Sequence, residues 1–171
     1  MDDGVAIRPA TCADAAAIAE VHVAAWRWAY RDAFPAAFLE GLTVEDRSSQ
    51  WAERLAAPGE ETWVAEGAGG IVGFCGFGPT GDDDAPVGTG EVRTLYILPE
   101  VVGLGVGREL FTRANERLRD LRYARATLWV LASNERSRRF YERAGWSWDG
   151  SVGEHRFDGA NLPIVRYGVD L

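Results

Sequence analysis

Two cysteines, Cys12 and Cys75, and two histidines, His22 and His155, are all that this 171-residue chain offers a thiophilic or imidazole-seeking metal. Neither pair has ligand spacing, which argues against a zinc centre, and no metal is expected. Long apolar runs are also missing, and none approaches the roughly 18 residues of a membrane helix. The opening Met1-Asp2-Asp3-Gly4 has neither the basic nor the apolar region of a signal peptide. Positive charge is in deficit, at a formal net of -8, so no polyanion should be gripped by clustered cations. The expectation is a cytoplasmic protein with no nucleic-acid and no membrane partner. Its acidic surface suits cationic partners, although such charge also serves plain solubility.

What is present is enough apolar residue, 47% of the chain, to bury a core within one domain, taken as residues 1–171. "VAIRPA" reads as a short strand closed by Pro9. Thr11 stands three residues before Asp14, the spacing of a capping box, ahead of "AAAIAEVHVAAWRWAY". There Ile18, Val21, Ala25, Trp28 and Ala29 recur at helical spacing, predicting a face packed on a sheet. A second box, Thr43 with Asp46, precedes "RSSQWAERLAA", which Pro58-Gly59 ends.

"ETWVAEG" and "GIVGFCGFG" form a hairpin pattern around Ala68-Gly69-Gly70. "PTGDDDAPVGTG" is expected to be an exposed loop. "EVRTLYIL", "GRELFTRANERLRDL", "RATLWVLA" and "NERSRRFYERAG" then read as strand, helix, strand, helix, which implies a parallel pair joined by a right-handed crossover. "WSWDGSVGEHRF" and "LPIVRYGVDL" alternate like two antiparallel strands turning at Asp158-Gly159.

The chemistry centres on "LYILPEVVGLGVGRELFTRANERL". Glycines at 103, 105 and 107 stand between a strand and a helix. Glycine tolerates positive φ, so successive N–H groups there can converge with the free N–H groups of the new helix, at its positive end. That surface suits a pyrophosphate. The pattern departs from two known phosphate loops: Arg108 occupies a position where a dinucleotide fingerprint needs glycine, and no Lys-Ser/Thr ends the run. Alone, the stretch is equally a flexible turn. In "NERSRRFYERAGW", helical spacing puts Asn134 at a helix start and Tyr141 two turns on, nearly on the same side. A helix mouth and a phenol can thus face one cleft.

Together the two motifs resemble the GNAT superfamily of N-acetyltransferases. Its phosphate loop, Gln/Arg-x-x-Gly-x-Gly/Ala, matches Val102-Gly103-Leu104-Gly105-Val106-Gly107, and its Asn-x-x-Ala-x-x-Phe-Tyr-x-x-x-Gly-Phe matches Asn134 to Trp146. The element order β-α-α-β-β-β-α-β-α-β-β also resembles that family. The fold it implies is α/β: a mixed, mostly antiparallel sheet with a central splayed parallel pair and helices on both faces. Val102 departs from the family's Gln or Arg, leaving Arg108 as a compensating charge.

The resemblance implies direct transfer of acetyl from acetyl-CoA, as co-substrate, to a primary amine on a small molecule or a protein. Backbone groups of Tyr96, Ile97 and Leu98 would hold the pantetheine arm. Gly103, Leu104, Gly105, Val106, Gly107 and Arg108 would hold the pyrophosphate, and Asn134 would be either a cofactor contact or an N-cap. Tyr141 would be the general acid or a buried core tyrosine, and Glu91 the general base or a strand-end cap. His22, His155, Trp26, Trp28, Tyr30 and Phe34 are candidates for the acceptor wall or the core, and Asp82-Asp83-Asp84 for a cationic attractor or a solvated turn. Dimers are common in the family, so a homodimer is allowed. A CoA-binding module without turnover is the alternative, and the broken glycine fingerprint disfavours a dinucleotide-dependent oxidoreductase.

Overall fold

The computed structural model describes residues 4–157 and 160–171, so the expected turn at Asp158-Gly159 lies outside the described residues. The strands are β1 (Ala6–Pro9), β2 (Glu61–Gly67), β3 (Gly70–Pro79), β4 (Thr89–Ile97), β5 (Arg125–Leu131), β6 (Ser147–Phe157) and β7 (Ala160–Asp170). The helices are α1 (Ala15–Ala29), α2 (Ala36–Glu40), α3 (Val44–Ala56), α4 (Val106–Asp120) and α5 (Glu135–Arg143). One seven-stranded sheet results, in the order β1-β2-β3-β4-β5-β7-β6. Every neighbouring pair is antiparallel except β4 and β5. The expected order is recovered with one addition, the five-residue α2, which is too short to show a period.

Strand alternation distributes the core to two faces. Val64 of β2 and Phe74 of β3 join Ile18, Val21 and Trp51, so α1 and α3 cover one face. Their neighbours Ala65 and Cys75 point the other way, to Leu110, Phe111 and Leu118 of α4. Each large apolar side chain removed from water here contributes about 1.5–3 kcal/mol. The first capping box does form: the Thr11 N–H donates to the Asp14 carboxylate at 2.7 Å, and the first turn is 3-10. Arg8 holds the same carboxylate through two 2.9 Å bonds, tying the start of α1 to β1. At the second box, the Asp46 N–H donates to Thr43 Oγ1 at 3.2 Å.

The feature that positions the site is a break in the sheet. β4 and β5 pair only at Thr89 with Arg125, Gly90 with Ala126 and Glu91 with Thr127. Beyond Glu91 the strands part: β4 stays with β3, where a register shift leaves Arg93 as an extra residue, and β5 stays with β7. A wedge therefore opens between two strands at the middle of the sheet. Among the described residues no helix is long and apolar enough to cross a membrane.

Candidate active site

The wedge opens into a cleft of about 780 Å³ lined from α1, α3, β4, β5, α5, β6 and β7. Its β4 wall is set by backbone alternation. The Leu98 N–H donates to Val72 O of β3 at 2.8 Å. In a regular antiparallel pair the groups of every second residue face the same neighbour, so Tyr96 and Leu98 turn theirs to β3 while Leu95 and Ile97 turn theirs into the wedge. Of the three residues expected to hold an extended arm by their backbone, only Ile97 is oriented to do so. The second such position is Leu95, which the sequence reading missed. The side chains agree: Leu95 and Ile97 pack with the α4 face, and Tyr96 and Leu98 with the α1 face.

At the open end of the wedge the chain turns through Pro99–Val101 into the glycine stretch. Gly103 and Gly105 have φ of +88° and +91°, the left-handed region that glycine enters without strain. Gly105 caps α4, and the first helical bond at this end runs from Glu109 N to Gly105 O at 3.0 Å. The N–H groups of Val106, Gly107 and Arg108 therefore lie ahead of any intrahelical acceptor. Leu104 is 74% exposed, Arg108 is exposed, and Val102 lines the cleft. The turn is thus built as a concave donor surface at the positive end of a 15-residue helix.

Across the wedge lies α5. Asn134 is its N-cap: the side-chain carbonyl accepts from the Ser137 N–H at 3.1 Å. The same side chain is a hydrogen-bonding neighbour of the Tyr30 phenol, whose pKa is nonetheless raised by burial. Asn134 is therefore both cap and cleft-lining residue. Tyr141 also lines the cleft, with its ring 5.4 Å from Phe111 and 6.4 Å from Tyr167. Burial pushes its phenol above the ordinary tyrosine range, so the hydroxyl stays protonated and able to donate.

Glu91 sits at the apex of the wedge, the last β4 residue paired with β5. Its carboxylate accepts from the Gly81 N–H at 3.0 Å and lies 3.7 Å from Arg93 Nε. The cleft thus brings together Glu91, Tyr96, Ile97, Asn134 and Tyr141, five residues separated by up to fifty positions in the chain.

The aromatic candidates divide. Trp26 and Phe34 are buried in a cluster with Leu39, Leu42 and Leu131. Trp28 stays at the rim under the Arg136 guanidinium, 4.6 Å from the ring centroid. His22 is held on two sides, by the Trp51 indole donating to Nδ1 at 3.0 Å and by Tyr96 stacked on its ring at 5.4 Å. Burial, with Arg47 and Arg54 nearby, lowers its pKa to about 4. The ring is therefore neutral, and its one proton sits on Nε2. His155, exposed on β6, also lines the cleft.

The acidic loop is exposed at Asp83 and Asp84, as expected of a solvated turn, but it also carries a contact that neither expectation included. Asp82 and Asp84 are neither a free cationic attractor nor simply solvated, because Arg166 of β7 occupies them. All five of its N–H groups are used. Nε donates to Asp149 at 2.7 Å, Nη1 to Asp82 at 3.0 Å and Asp84 at 2.7 Å, and Nη2 to Asp84 and Ser151, each at 2.9 Å. Asp82 also accepts from the Trp129 indole at 3.0 Å. Trp129, on β5 beside the cleft, is thereby fixed by a loop more than forty residues earlier. No local pattern announces this, since the signal is one arginine 82 residues downstream of Asp84.

A model of the acetyltransferase (GNAT) family matches residues 23–146. The uncharacterized N-acetyltransferase YuaI of Bacillus subtilis (strain 168) is 30% identical over 166 residues, spanning 96% of this chain and 91% of that one. The ribosomal-protein-alanine N-acetyltransferase of Brucella melitensis, a crystal structure, superposes with a TM-score of 0.75 at 25% identity, covering 97% of this chain and 99% of that one. PaiA N-acetyltransferase of Thermoplasma acidophilum, solved with coenzyme A, shares the fold with a TM-score of 0.71 at 16% identity, covering 98% of this chain and 99% of that one.

Proposed function

We propose a residue-level route for the reaction of this chain, which belongs to the acetyltransferase (GNAT) family and is an acetyl-CoA-dependent N-acetyltransferase. The wedge between β4 and β5 is the observation that carries the route. The glycine turn at its open end takes the pyrophosphate on the N–H groups of Val106, Gly107 and Arg108, with Gly103, Leu104 and Gly105 shaping the turn. Arg108, which has no ion-pair partner among the described residues, supplies the charge that Val102 cannot. The pantetheine amides run inward and pair with the backbone of Leu95 and Ile97, and Asn134 borders them. The thioester then lies beneath Tyr141, with Glu91 beyond it at the apex.

The acceptor arrives as an ammonium. For a lysine-like amine of pKa ~10.4, reaching the neutral form at pH 7 costs about 4.6 kcal/mol. Glu91 takes that proton directly or through one water. Arginines along the cleft ease the step, because positive potential disfavours the ammonium. The amine nitrogen then attacks the acetyl carbon, the C–S bond breaks, and the electron pair leaves on sulfur.

Tyr141 donates its hydroxyl hydrogen to the thiolate and regains a proton from the nitrogen, which becomes the amide. A raised phenol pKa does not spoil the match. The same apolar surroundings disfavour the thiolate, whose conjugate acid is near 8.5 in water, so both anions move together. Glu91 finally releases its proton to solvent, and the products are amide, CoA thiol and one proton.

The test is thiol release from acetyl-CoA across a panel of small amines, amino acids, polyamines and peptides. All eighteen cationic side chains are arginine, so no lysine of the enzyme competes as acceptor. Saturable thiol release with one acceptor class, and the matching mass gain, supports the route. Tight CoA binding with no release from any amine would replace it with a CoA-binding module.

A further inference from the structure

The charge of the cleft runs against that of the protein. The chain is net -8, yet among the described residues five arginines and two carboxylates, Asp32 and Glu91, line the cleft. The arginines differ in how far they are already engaged. Arg54 and Arg93 share the Glu60 carboxylate, Arg54 through Nε at 2.8 Å and Arg93 through Nη1 at 2.9 Å. Arg31 lies 3.7 Å from Asp32, and Arg136 rests on the Trp28 ring.

Arg136, exposed, meets no carboxylate among the described residues, and Arg47 shares that state while being less exposed. Arg47 is half-buried and donates to the neutral side chain of Gln50 at 2.7 Å.

Position on the helix explains where this cation is aimed. Arg47, Trp51 and Arg54 fall at i, i+4 and i+7 of α3, which is one face. Trp51 of that face bonds to His22 of α1. Because His22 Nδ1 accepts from the indole, the ring offers a single N–H, from Nε2, and stays neutral across the physiological range. A guanidinium and a neutral N–H donor thus border the cleft near one another, on the side covered by α1 and α3. A partly desolvated cation that meets only a neutral partner carries a cost that an incoming anion relieves.

We propose that the acceptor is an amino acid, its carboxylate bound by Arg47 and the Nε2–H of His22 while its amine faces the thioester and Glu91. The proposal rests on the acetyltransfer reading above and adds the acceptor's class to it. Different groups of the cleft meet the two ends of such a molecule. Arginine charge recognises the carboxylate, and the Glu91 apex receives the ammonium proton. A carboxylate bonded to arginine and imidazole is also fixed in orientation, which aims the nearby amine.

The experiment compares kcat/KM for the proteinogenic L-amino acids with that for their carboxamides, by thiol release, in the unmodified protein and in Arg47→Gln. The expected result is at least one amino acid preferred over its amide by about 10- to 150-fold, the usual worth of a charge-assisted hydrogen bond. In Arg47→Gln that preference falls to near one, through KM more than kcat, and Arg47→Lys restores part of it. Amides acetylated as well as the acids would overturn the proposal, as would a preference that survives Arg47→Gln. Turnover confined to polyamines or peptide N-termini would overturn it and leave acetyl transfer standing. Absence of thiol release from every amine would instead remove the acetyltransfer reading on which it rests.

Discussion

Replacing Arg166 by methionine tests the tie between the acidic loop and the sheet. The side chain is 8% exposed and spends all five donors on Asp82, Asp84, Asp149 and Ser151. Methionine fills much of the volume but leaves the part-buried carboxylates of Asp82 and Asp149 facing each other without a counter-charge. Breaking a buried ion pair from one side costs about 3–5 kcal/mol, and solvent access at Asp84 argues for the lower end, about 3 kcal/mol. For a chain of this length that is a fall in Tm of about 6–12 °C.

The loss should depend on pH. Arg166 holds the Asp84 carboxyl below its usual range; at Asp149 burial pushes upward but is outweighed by hydrogen bonds from Ser151 and Arg166. Lowered carboxyl pKa values stabilise the fold above the unfolded value, about 3.9. That stability is lost as pH falls through the lower folded values. Urea unfolding of both proteins at pH 7.5 and pH 2.5 should show a gap that narrows on the acid side. A loss under about 1 kcal/mol at pH 7.5, or a gap indifferent to pH, would refute the reasoning.

Three further outcomes are expected. Tyr141→Phe should lower kcat by about 100-fold with acetyl-CoA affinity kept, as befits a group acting on the leaving sulfur; equal losses in both would remove it as the acid. Arg108→Ala should weaken acetyl-CoA binding and flatten its salt dependence, read by calorimetry at two ionic strengths, and unchanged values would end its role as compensation for Val102. His22, with a folded pKa of about 4 against ~6.5 unfolded, favours the fold when neutral. Its contribution, about 3 kcal/mol, is whole above pH 6.5 and is lost as pH falls toward 4. A pH titration of stability should therefore be shallower over that interval in His22→Gln, and identical slopes would contradict the burial argument.

Elements with a period or a punctuating residue were legible in the sequence. β2 occupies the seven residues of "ETWVAEG", and α4 and α5 begin where Gly105 and Asn134 cap them. The five-residue α2 escaped because so short a helix has no repeat. Among the residues that line the cleft, Tyr141 and Asn134 were legible from a family motif, and Glu91, Tyr96, Ile97, His22, His155 and the aromatic residues Trp26, Trp28, Tyr30 and Phe34 from their place in the element order. Leu95 could not be separated from Tyr96, because choosing between neighbours on a strand requires knowing which side is already bonded. Trp129 and Arg166 owe their roles to partners from 15 to 84 positions away in the chain, and Arg47 to a surface formed by folding, and local spacing carries no trace of that.

Among the described residues, the three residue pairs between β4 and β5 are the strand pairing that joins the four strands on one side to the three on the other. The interior of the sheet therefore contains an edge, with Leu95 and Ile97 presenting donors and acceptors as an outer strand does. An extended amide chain laid there behaves as a missing strand, adding rungs where the protein has none. An acyl donor bound there as proposed would in this sense be a structural member as well as a reactant. Each turnover would briefly complete the sheet, and departure of the spent thiol would return it to two halves hinged at Glu91.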